Sequence, residues 1–295
     1  MTEKTTNYYV PAESKWPVLC SLSLFITAIG AANFVQQSTD AVANDGSMGK
    51  FILFIGIVSI IAVMFGWFGD TVRESLKGMN SRQMDISYRM GMMWFIFSEV
   101  MFFAAFFGAL FYARILAVPW LGGDGSNAMT HEVLWPNFQS MWPLETTPDG
   151  RTLEAMGPWP LPLINTILLI TSGSFLTIAH HALKAGDRSK LQINLAISII
   201  LGFTFMGVQA YEYIHAYNDL GLTLDAGIYG STFFLLTGFH GMHVTIGAIM
   251  LTVMLFRSFS GHFSSENHFA FEAAAWYWHF VDVVWIFLFF VVYWL

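Results

Sequence analysis

A single carboxyl group lies in the middle of a long apolar segment of this sequence. Glu99 is the only acidic or basic residue among the 24 residues between Arg89 and Arg114. At about 1.5 Å per residue, a helix of that length spans roughly 36 Å and places Glu99 about 15 Å from Arg89, near the middle of a bilayer. A charge at that depth costs about 3 kcal/mol. We therefore expect the Glu99 carboxyl to be protonated or bonded to a side chain of another helix.

Histidine and acidic side chains recur in the later apolar segments. One segment carries His240 and His243, and the spacing of three places both rings on nearly the same helix face. The last segment carries polar residues at steps of four, seven and three, which form one stripe along a helix: His268, Glu272, His279 and Asp282. Two earlier segments end with His180, His181, Gln209, Glu212 and His215.

These side chains permit three interpretations. They could bind a metal or haem, they could form a proton or substrate path, or they could hydrogen-bond between helices because lipid offers no other partner. The third is favoured, since no pattern marks a second axial ligand beside His243, and we predict neither a metal site nor a catalytic residue on this chain. A retinal-type pigment is excluded, because no lysine follows Lys190 to form its Schiff base.

A candidate lipid site lies where another apolar segment ends. Trp67 and Phe68 precede Arg73 and Glu74. An arginine beside aromatic rings suits an anionic lipid head group whose acyl chains follow the rings. Arg257, at the end of the segment that carries His240 and His243, could join this cluster. An equally favoured alternative is that the two arginines only extend their head groups to the membrane surface.

The elements that must position these residues are membrane-spanning helices. Apolar residues make up 55% of the chain and charged residues 11%, with a mean hydropathy of +0.55, which excludes an ordinary soluble domain. Seven segments are long enough to cross a bilayer. We predict one all-α integral membrane domain over residues 1–295, with helices at about 17–36, 51–75, 86–116, 161–184, 190–217, 226–257 and 267–295, and a non-helical loop at 118–160.

The cysteine count excludes several kinds of site, and the start of the chain predicts how the first helix is processed. Cys20 is the only cysteine, which excludes an internal disulfide and any paired-cysteine site for zinc, haem or copper. The chain starts with a polar stretch that is followed by a full-length apolar segment. We therefore expect a retained first helix and not a cleaved signal.

Basic residues predict the orientation in the membrane. If successive helices alternate in direction, the side that holds the N-terminus carries ten of the 13 basic residues: Lys4, Lys15, Arg73, Lys77, Arg82, Arg89, Lys184, Arg188, Lys190 and Arg257. The other side carries Lys50, Arg114 and Arg151. The positive-inside rule then predicts a cytoplasmic N-terminus and a periplasmic C-terminus. The loop at 118–160 would face outward, where it either docks a partner or is a plain surface insertion.

Five motifs carry a family resemblance. They are Phe97-Ser-Glu-Val-Met-Phe-Phe103, the stretch Ala179-His-His-Ala-Leu-Lys-Ala-Gly-Asp-Arg188, Gln209-Ala-Tyr-Glu-Tyr213, the run from Gly230 to His243, and the run from Asn267 to Trp285. Over all seven helices the chain resembles subunit III of the aa3-type haem–copper cytochrome c oxidases. Its loop at 118–160 looks longer than in short mitochondrial members, and with no transit peptide at the start this favours a bacterial chain in the inner membrane.

The resemblance implies a fold of two helices and five helices separated by a V-shaped cleft that holds ordered phospholipids. It implies subunits I and II as partners and cytochrome c as the substrate of the complex. Haem and copper would lie in those partner subunits and not on this chain. The implied roles are stabilisation of subunit I, support of its proton uptake during aerobic respiration, protection of the complex during turnover, and guidance of oxygen through the cleft.

The resemblance also assigns individual residues. Glu99 matches the family's carbodiimide-reactive carboxyl, which agrees with an acid in an apolar site. The lipid-cleft residues of the family correspond to Trp67, Arg73, Glu74 and Arg257. Phe68 stands where some members have a second tryptophan, so we expect looser lipid contact there. An intramembrane polar network is expected from His240, His243, Glu212, Glu272, His279 and Asp282.

Two other functions stay open at this point. One is the third subunit of a quinol oxidase or of a nitric-oxide-reductase-type complex, although such relatives tend to lack the first two helices. The other is a proton-coupled transporter that uses Glu99, His243 and the polar stripe. A transporter of that kind would be expected to show inverted repeats and helices broken by glycine or proline, and the sequence shows neither.

Overall fold

The structure, a computed structural model, describes residues 13–39 and 47–295. Lys4 and the polar start of the chain lie outside these ranges. Within them the chain is helical, and Thr146 and Thr152 form an isolated antiparallel bridge. Seven helices there are long and apolar enough to cross a membrane. The prediction of an all-α integral membrane protein with seven spanning helices is therefore confirmed.

The helices of the described residues are numbered in chain order. They are α1 Trp16–Thr39, α2 Ser47–Leu76, α3 Arg82–Tyr112, α4 Val118–Leu121, α5 Ala128–Leu134, α6 Leu161–Lys184, α7 Arg188–Asn218, α8 Ile228–Phe259 and α9 Phe269–Leu288. Wider π-helical turns continue α3 through Ala113–Ala117 and α9 through Phe289–Trp294. Both turns lie at the ends of spanning helices, where the backbone hydrogen bonds are least constrained.

The region at 118–160 is not fully non-helical, and this part of the sequence prediction was wrong. The short helices α4 and α5 lie in its first half. Pro119 occupies the first turn of α4, where its fixed φ suits a helix and its missing N–H costs no bond. A cluster of glycine, proline and tryptophan hid these short helices in the sequence pattern.

Three residues connect α6 to α7 and make the two helices antiparallel neighbours. Gly186 adopts a φ of 77°, which glycine tolerates without strain. Asp187 then caps α7, because its side chain accepts a hydrogen bond of 3.0 Å from the backbone N–H of Lys190. Sequence alone therefore accounts for this reversal of direction.

The chain divides into two compact units, residues 1–88 and 89–295, and the boundary falls inside α3. In the first unit α1 packs on α2. A Cβ added at Gly30 would overlap the backbone of Leu53, and one added at Gly56 would overlap Thr27. The two helices are therefore held at a distance that only glycine permits.

In the second unit, α9 is the central element and packs on α6 and α8. Its Trp278 and Trp285 are completely buried. Trp278 lies against Gly202 of α7 and Gly247 of α8, since a Cβ at either glycine would come within 2.8 Å of its ring. The large rings of α9 thus fill the space that small residues leave on its neighbours.

Candidate functional site

Glu99 on α3 has its partner on α8. Its Oε2 lies 2.8 Å from Nε2 of His243. The other ring nitrogen of His243, Nδ1, lies 2.6 Å from the carbonyl oxygen of Phe239. A carbonyl only accepts, so Nδ1 carries a proton and Nε2 faces the carboxyl. The pair is electrically neutral whether the shared proton is on Glu99 or on His243, which makes its burial in an apolar region tolerable.

Aromatic rings enclose this acid–imidazole pair. The rings of Phe102 and Phe103 lie 5.8 and 5.0 Å from the ring of His243. Tyr277 of α9 stacks on the same imidazole at 6.3 Å. The His243 side chain is 6% exposed and that of Glu99 is 21% exposed. The pair therefore ties α3 to α8 in a site that is largely shielded from the surroundings.

His240 is directed at a different helix from His243. Its Nε2 lies 3.2 Å from the carbonyl oxygen of Val281 on α9, and its ring packs against Trp285 at 5.1 Å. The spacing of three residues suggested that both imidazoles share one face. Three residues leave the two side chains about 60° apart around an ideal helix, and in the structure His243 faces α3 whereas His240 faces α9.

The polar stripe of α9 faces α6 along most of its length. His279 Nδ1 lies 3.2 Å from Asp282 Oδ2, and its Nε2 lies 3.4 Å from Thr177 Oγ1. Asp282 fits against α6 because Gly173 has no side chain there. The two helices run antiparallel, so later positions of α9 meet earlier positions of α6.

The same stripe ends in a charged cluster at the start of α9. Glu272 Oε2 lies 2.5 Å from Arg89 Nη1 of α3. Glu272 Oε1 lies 3.7 Å from Nε2 of both His180 and His268. His268 immediately precedes α9, at its N-cap position, and is not part of the helix. The structure thus unites four residues that the sequence placed on three segments.

Glu212 belongs to a separate network that lies deep in the second unit. Tyr293 donates a hydrogen bond of 2.6 Å to Glu212 Oε1. One turn earlier on α7, the Gln209 side-chain oxygen accepts a bond of 3.3 Å from Asn165 of α6. Glu212 is completely buried. This network ties α6, α7 and the end of α9 together.

The predicted lipid residues of α2 lie at its exposed end. The side chains of Trp67, Phe68 and Arg73 are exposed and Glu74 is half-buried. Arg73 forms an ion pair with Asp70, and Asp70 also accepts a hydrogen bond of 2.7 Å from the indole of Trp16. Asp70 was not among the predicted site residues, although its spacing of three from Arg73 is typical of a helical ion pair.

Arg257 lies in the other unit, near the end of α8. Its guanidinium lies over the ring of Phe263 at 4.7 Å. A cation above an aromatic face keeps its charge available to an anion on its other side. Sequence reasoning did not name Phe263, because it follows α8 in a loop without a periodic pattern.

A further set of buried contacts escaped sequence analysis. Trp278 donates to Ser172 at 3.2 Å, and the hydroxyl groups of Ser172 and Ser198 lie 3.0 Å apart. Trp285 donates to Thr166 at 2.9 Å. The sequence feature that could have indicated these contacts is the presence of serine and threonine within apolar segments. Such residues are common between membrane helices because they allow close packing and hydrogen-bond across the interface.

Comparison with known proteins identifies the family. The family model for cytochrome c oxidase subunit III matches residues 6–295. The chain belongs to this family. The cytochrome c oxidase subunit 3 of Prototheca wickerhamii is 40% identical over 287 residues, which cover 97% of this chain and 96% of that protein. The subunit 3 of Oryctolagus cuniculus is 40% identical over 295 residues, which cover 100% of this chain and 99% of that protein. The subunit 3 of Arabidopsis thaliana is 38% identical over 289 residues, which cover 98% of this chain and 96% of that protein.

Membership of the cytochrome c oxidase subunit III family confirms the predicted family and enzyme complex. The chain is a non-catalytic subunit of a haem–copper oxidase and a multi-pass membrane protein. The full-length matches do not favour a quinol oxidase, a nitric oxide reductase or a transporter. They are consistent with a chain that carries no redox cofactor of its own.

Proposed function

We propose that this chain is the phospholipid-binding third subunit of a proton-pumping cytochrome c oxidase in a bacterial plasma membrane. It packs against subunit I and belongs to a complex whose subunits I and II hold the haem and copper and take electrons from cytochrome c. Its roles are to stabilise subunit I, to support proton uptake and to give oxygen a lipid-lined route. Its N-terminus faces the cytoplasm and its C-terminus faces the periplasm.

The Glu99–His243 pair is the observation that carries this proposal. An isolated carboxyl at mid-membrane depth would favour a transport pathway with changing partners. Here the carboxyl is 2.8 Å from an imidazole whose other nitrogen is committed to a backbone carbonyl. A neutral, closed pair of this kind supports helix cohesion within an accessory subunit.

Two arginines support the lipid-binding part of the proposal. Arg73 extends from the end of α2 beside exposed Trp67 and Phe68, and half-buried Glu74 follows it. Arg257 lies at the end of α8 above Phe263. Both combine a fixed positive charge with neighbouring aromatic surface, which suits a phosphate head group and the first part of its acyl chains.

The distribution of charge supports the orientation. Arg82, at the start of α3, and Lys184, at the end of α6, lie on the predicted cytoplasmic side with Arg257. Clusters of basic residues beside spanning helices are retained on the cytoplasmic side during insertion. The region that contains α4 and α5 would then lie on the periplasmic side.

The first experiment replaces Glu99 by Gln in the assembled oxidase. We expect the haem and copper content of the purified complex to stay unchanged, because the Glu99 carboxyl bonds to His243 of the same chain. The matched control is Glu132→Gln, which changes an exposed acid of α5. Loss of a haem or copper centre in Glu99→Gln, with Glu132→Gln normal, would contradict the proposed role.

The second experiment tests lipid binding through the double substitution Arg73→Ala and Arg257→Ala. We expect less phospholipid per purified complex and a shorter active lifetime during turnover. Lipid phosphorus analysis and the decay of oxygen consumption measure the two effects. The control removes two exposed basic groups outside the proposed lipid site, Lys77→Ala with Arg188→Ala. Equal lipid content in both double variants would refute the assignment of these arginines.

A further inference from the structure

Two imidazoles and a carboxylate converge at the end of α6 and the start of α9. His180 Nε2 and His268 Nε2 each lie 3.7 Å from Glu272 Oε1. One ligand atom of each residue lies within 4.8 Å of the others. Neither Nε2 has a hydrogen-bond partner within the described residues, although the His268 side chain is only 8% exposed. Unpartnered buried nitrogens are costly unless another group satisfies them.

The tautomer of His268 is fixed in a form that can bind a metal. Its Nδ1 lies 3.0 Å from the carbonyl oxygen of Ser264. Because a carbonyl only accepts, the ring proton is on Nδ1 and the lone pair of Nε2 points toward Glu272. A metal-binding histidine commonly donates its other N–H to a backbone carbonyl in this way, which also fixes the ring orientation.

One carboxyl oxygen of Glu272 faces the two imidazoles, and the other bonds to the Arg89 guanidinium. Its Oε2 is held at 2.5 Å by Arg89, and the Arg89 guanidinium lies 5.0 Å from the ring of Phe269. The Oε1 atom is therefore kept in place between the two histidines. At 3.7 Å the imidazoles are too far away for direct hydrogen bonds to that oxygen.

We propose that His180, His268 and Glu272 form a binding site for a divalent cation of the zinc type. Two neutral imidazoles and one carboxylate are a ligand set that zinc accepts. With metal–ligand bonds of about 2.0–2.2 Å, tetrahedral donors are about 3.4 Å apart. The two observed 3.7 Å separations need to close by a few tenths of an ångström, and the two imidazole nitrogens, which lie within 4.8 Å of each other, need to close to the same spacing. The fourth position is open to water.

This site is independent of the proposed lipid and oxidase functions and of the Glu99–His243 pair. The bound ion has no redox role. It ties α6 to the start of α9, and the positive charge of Arg89 on the second oxygen of Glu272 limits how tightly the ion is held. His180 is the most accessible ligand, with a side chain that is 21% exposed, so exchange of the ion takes place from that side.

The experiment measures zinc binding to the assembled oxidase complex. Radioactive zinc chloride is equilibrated by dialysis with complex that has first been treated with a chelator. We expect His180→Asn to lose one zinc ion per complex, or to bind it at least about 100-fold more weakly, because changes outside the ligand shell already weaken sites 10–100-fold. The control His181→Asn changes the adjacent, exposed histidine and should bind zinc as the unmodified complex does.

A second measurement keeps the proposal testable if a variant complex loses this chain. Crystals of the unmodified oxidase are soaked in zinc chloride and measured at the zinc absorption edge. We expect an anomalous peak within bonding distance of the Nε2 atoms of His180 and His268. Equal zinc binding by His180→Asn and His181→Asn, or the absence of a peak between these histidines, would overturn the proposal.

Discussion

The helix pairs α1–α2 and α6–α9 are held together by different kinds of contact. In the most apolar part of α2 only 6% of the residues are buried within the chain, whereas in α9 the share is 61%. Glycines bring α1 and α2 together along their backbones, as at Gly30. In contrast, α9 meets α6 through large rings and side-chain hydrogen bonds, as from Trp278 to Ser172.

The difference follows from what surrounds each pair. Lipid is as apolar as leucine, so burial of leucine or phenylalanine between helices gains little in a membrane, and close van der Waals contact and hydrogen bonds must hold them. A helix at the centre of a bundle can form both close van der Waals contacts and hydrogen bonds with its neighbours. A pair with most of its surface exposed is held mainly by close backbone contact, and its outer residues are available to lipid or to a partner subunit.

The largest predicted effect is in the centre of the α6–α9 region. Trp278→Ala removes a completely buried ring and its bond to Ser172, so we expect a loss of about 3–5 kcal/mol in the free energy of unfolding. The variant chain should be lost from the purified complex. The fraction retained is measured by quantifying each subunit after purification, and stability by titration with a denaturing detergent.

The matched control for this change lies on α2. Trp67→Ala removes a ring of the same size whose residue is 39% exposed. We expect this variant to be retained in the complex, with a change in stability far smaller than that of Trp278→Ala. Similar losses for both tryptophans would show that α2 is as closely packed as α9, and the contrast between the two regions would fail.

A smaller effect is predicted where the backbones of α1 and α2 approach each other. In Gly30→Ala the new Cβ would overlap the backbone of Leu53, so the helices must separate. We expect a cost of about 1–3 kcal/mol, as for other overpacked contacts. The measurement is the detergent concentration at which crosslinks between α1 and α2, placed by cysteine pairs, cease to form.

Gly69→Ala is the control for that change, because a Cβ at Gly69 on α2 has no atom within 4 Å. Alanine favours helix over glycine by up to about 1 kcal/mol, so this variant should be neutral or slightly more stable. A destabilised Gly69→Ala or a neutral Gly30→Ala would mean that close backbone contact is not what holds this pair.

Much of the fold could be predicted from sequence because membranes impose a simple rule. Every spanning segment must be helical and long enough, and few charges are permitted within it. The depth of Glu99 and its need for a partner follow from the same rule. That partner, His243, is 144 positions away and could not be named, because the rotation of α3 against α8 depends on the packing of many small contacts.

The cluster at His180 shows a second limit. His268 and Glu272 were predicted to share a face of the last helix, whereas His180 and Arg89 were placed on separate segments without a link to them. The antiparallel register of α6 and α9 decides which histidine meets Glu272. That register is fixed by contacts such as Gly173 with Asp282, which depend on the shape of both surfaces and leave no periodic pattern.

The smallest predicted effect compares one hydrogen bond from each of the two compact units. Tyr293→Phe removes the bond of 2.6 Å to Glu212 and leaves a fully buried carboxyl with one partner fewer. Bonds between membrane helices contribute about 0.6 kcal/mol on average and at most about 1.7 kcal/mol, and we expect the upper part of that range here. Trp16→Phe removes the bond to Asp70 in the first unit, where Asp70 keeps its ion pair with Arg73. Because this bond is only partly buried, its loss should cost less than the loss of the buried Tyr293 bond, a few tenths of a kcal/mol. Detergent titration of both variants measures the difference, and a larger loss in Trp16→Phe would mean that α1 and α2 depend on side-chain hydrogen bonds as much as α9 does.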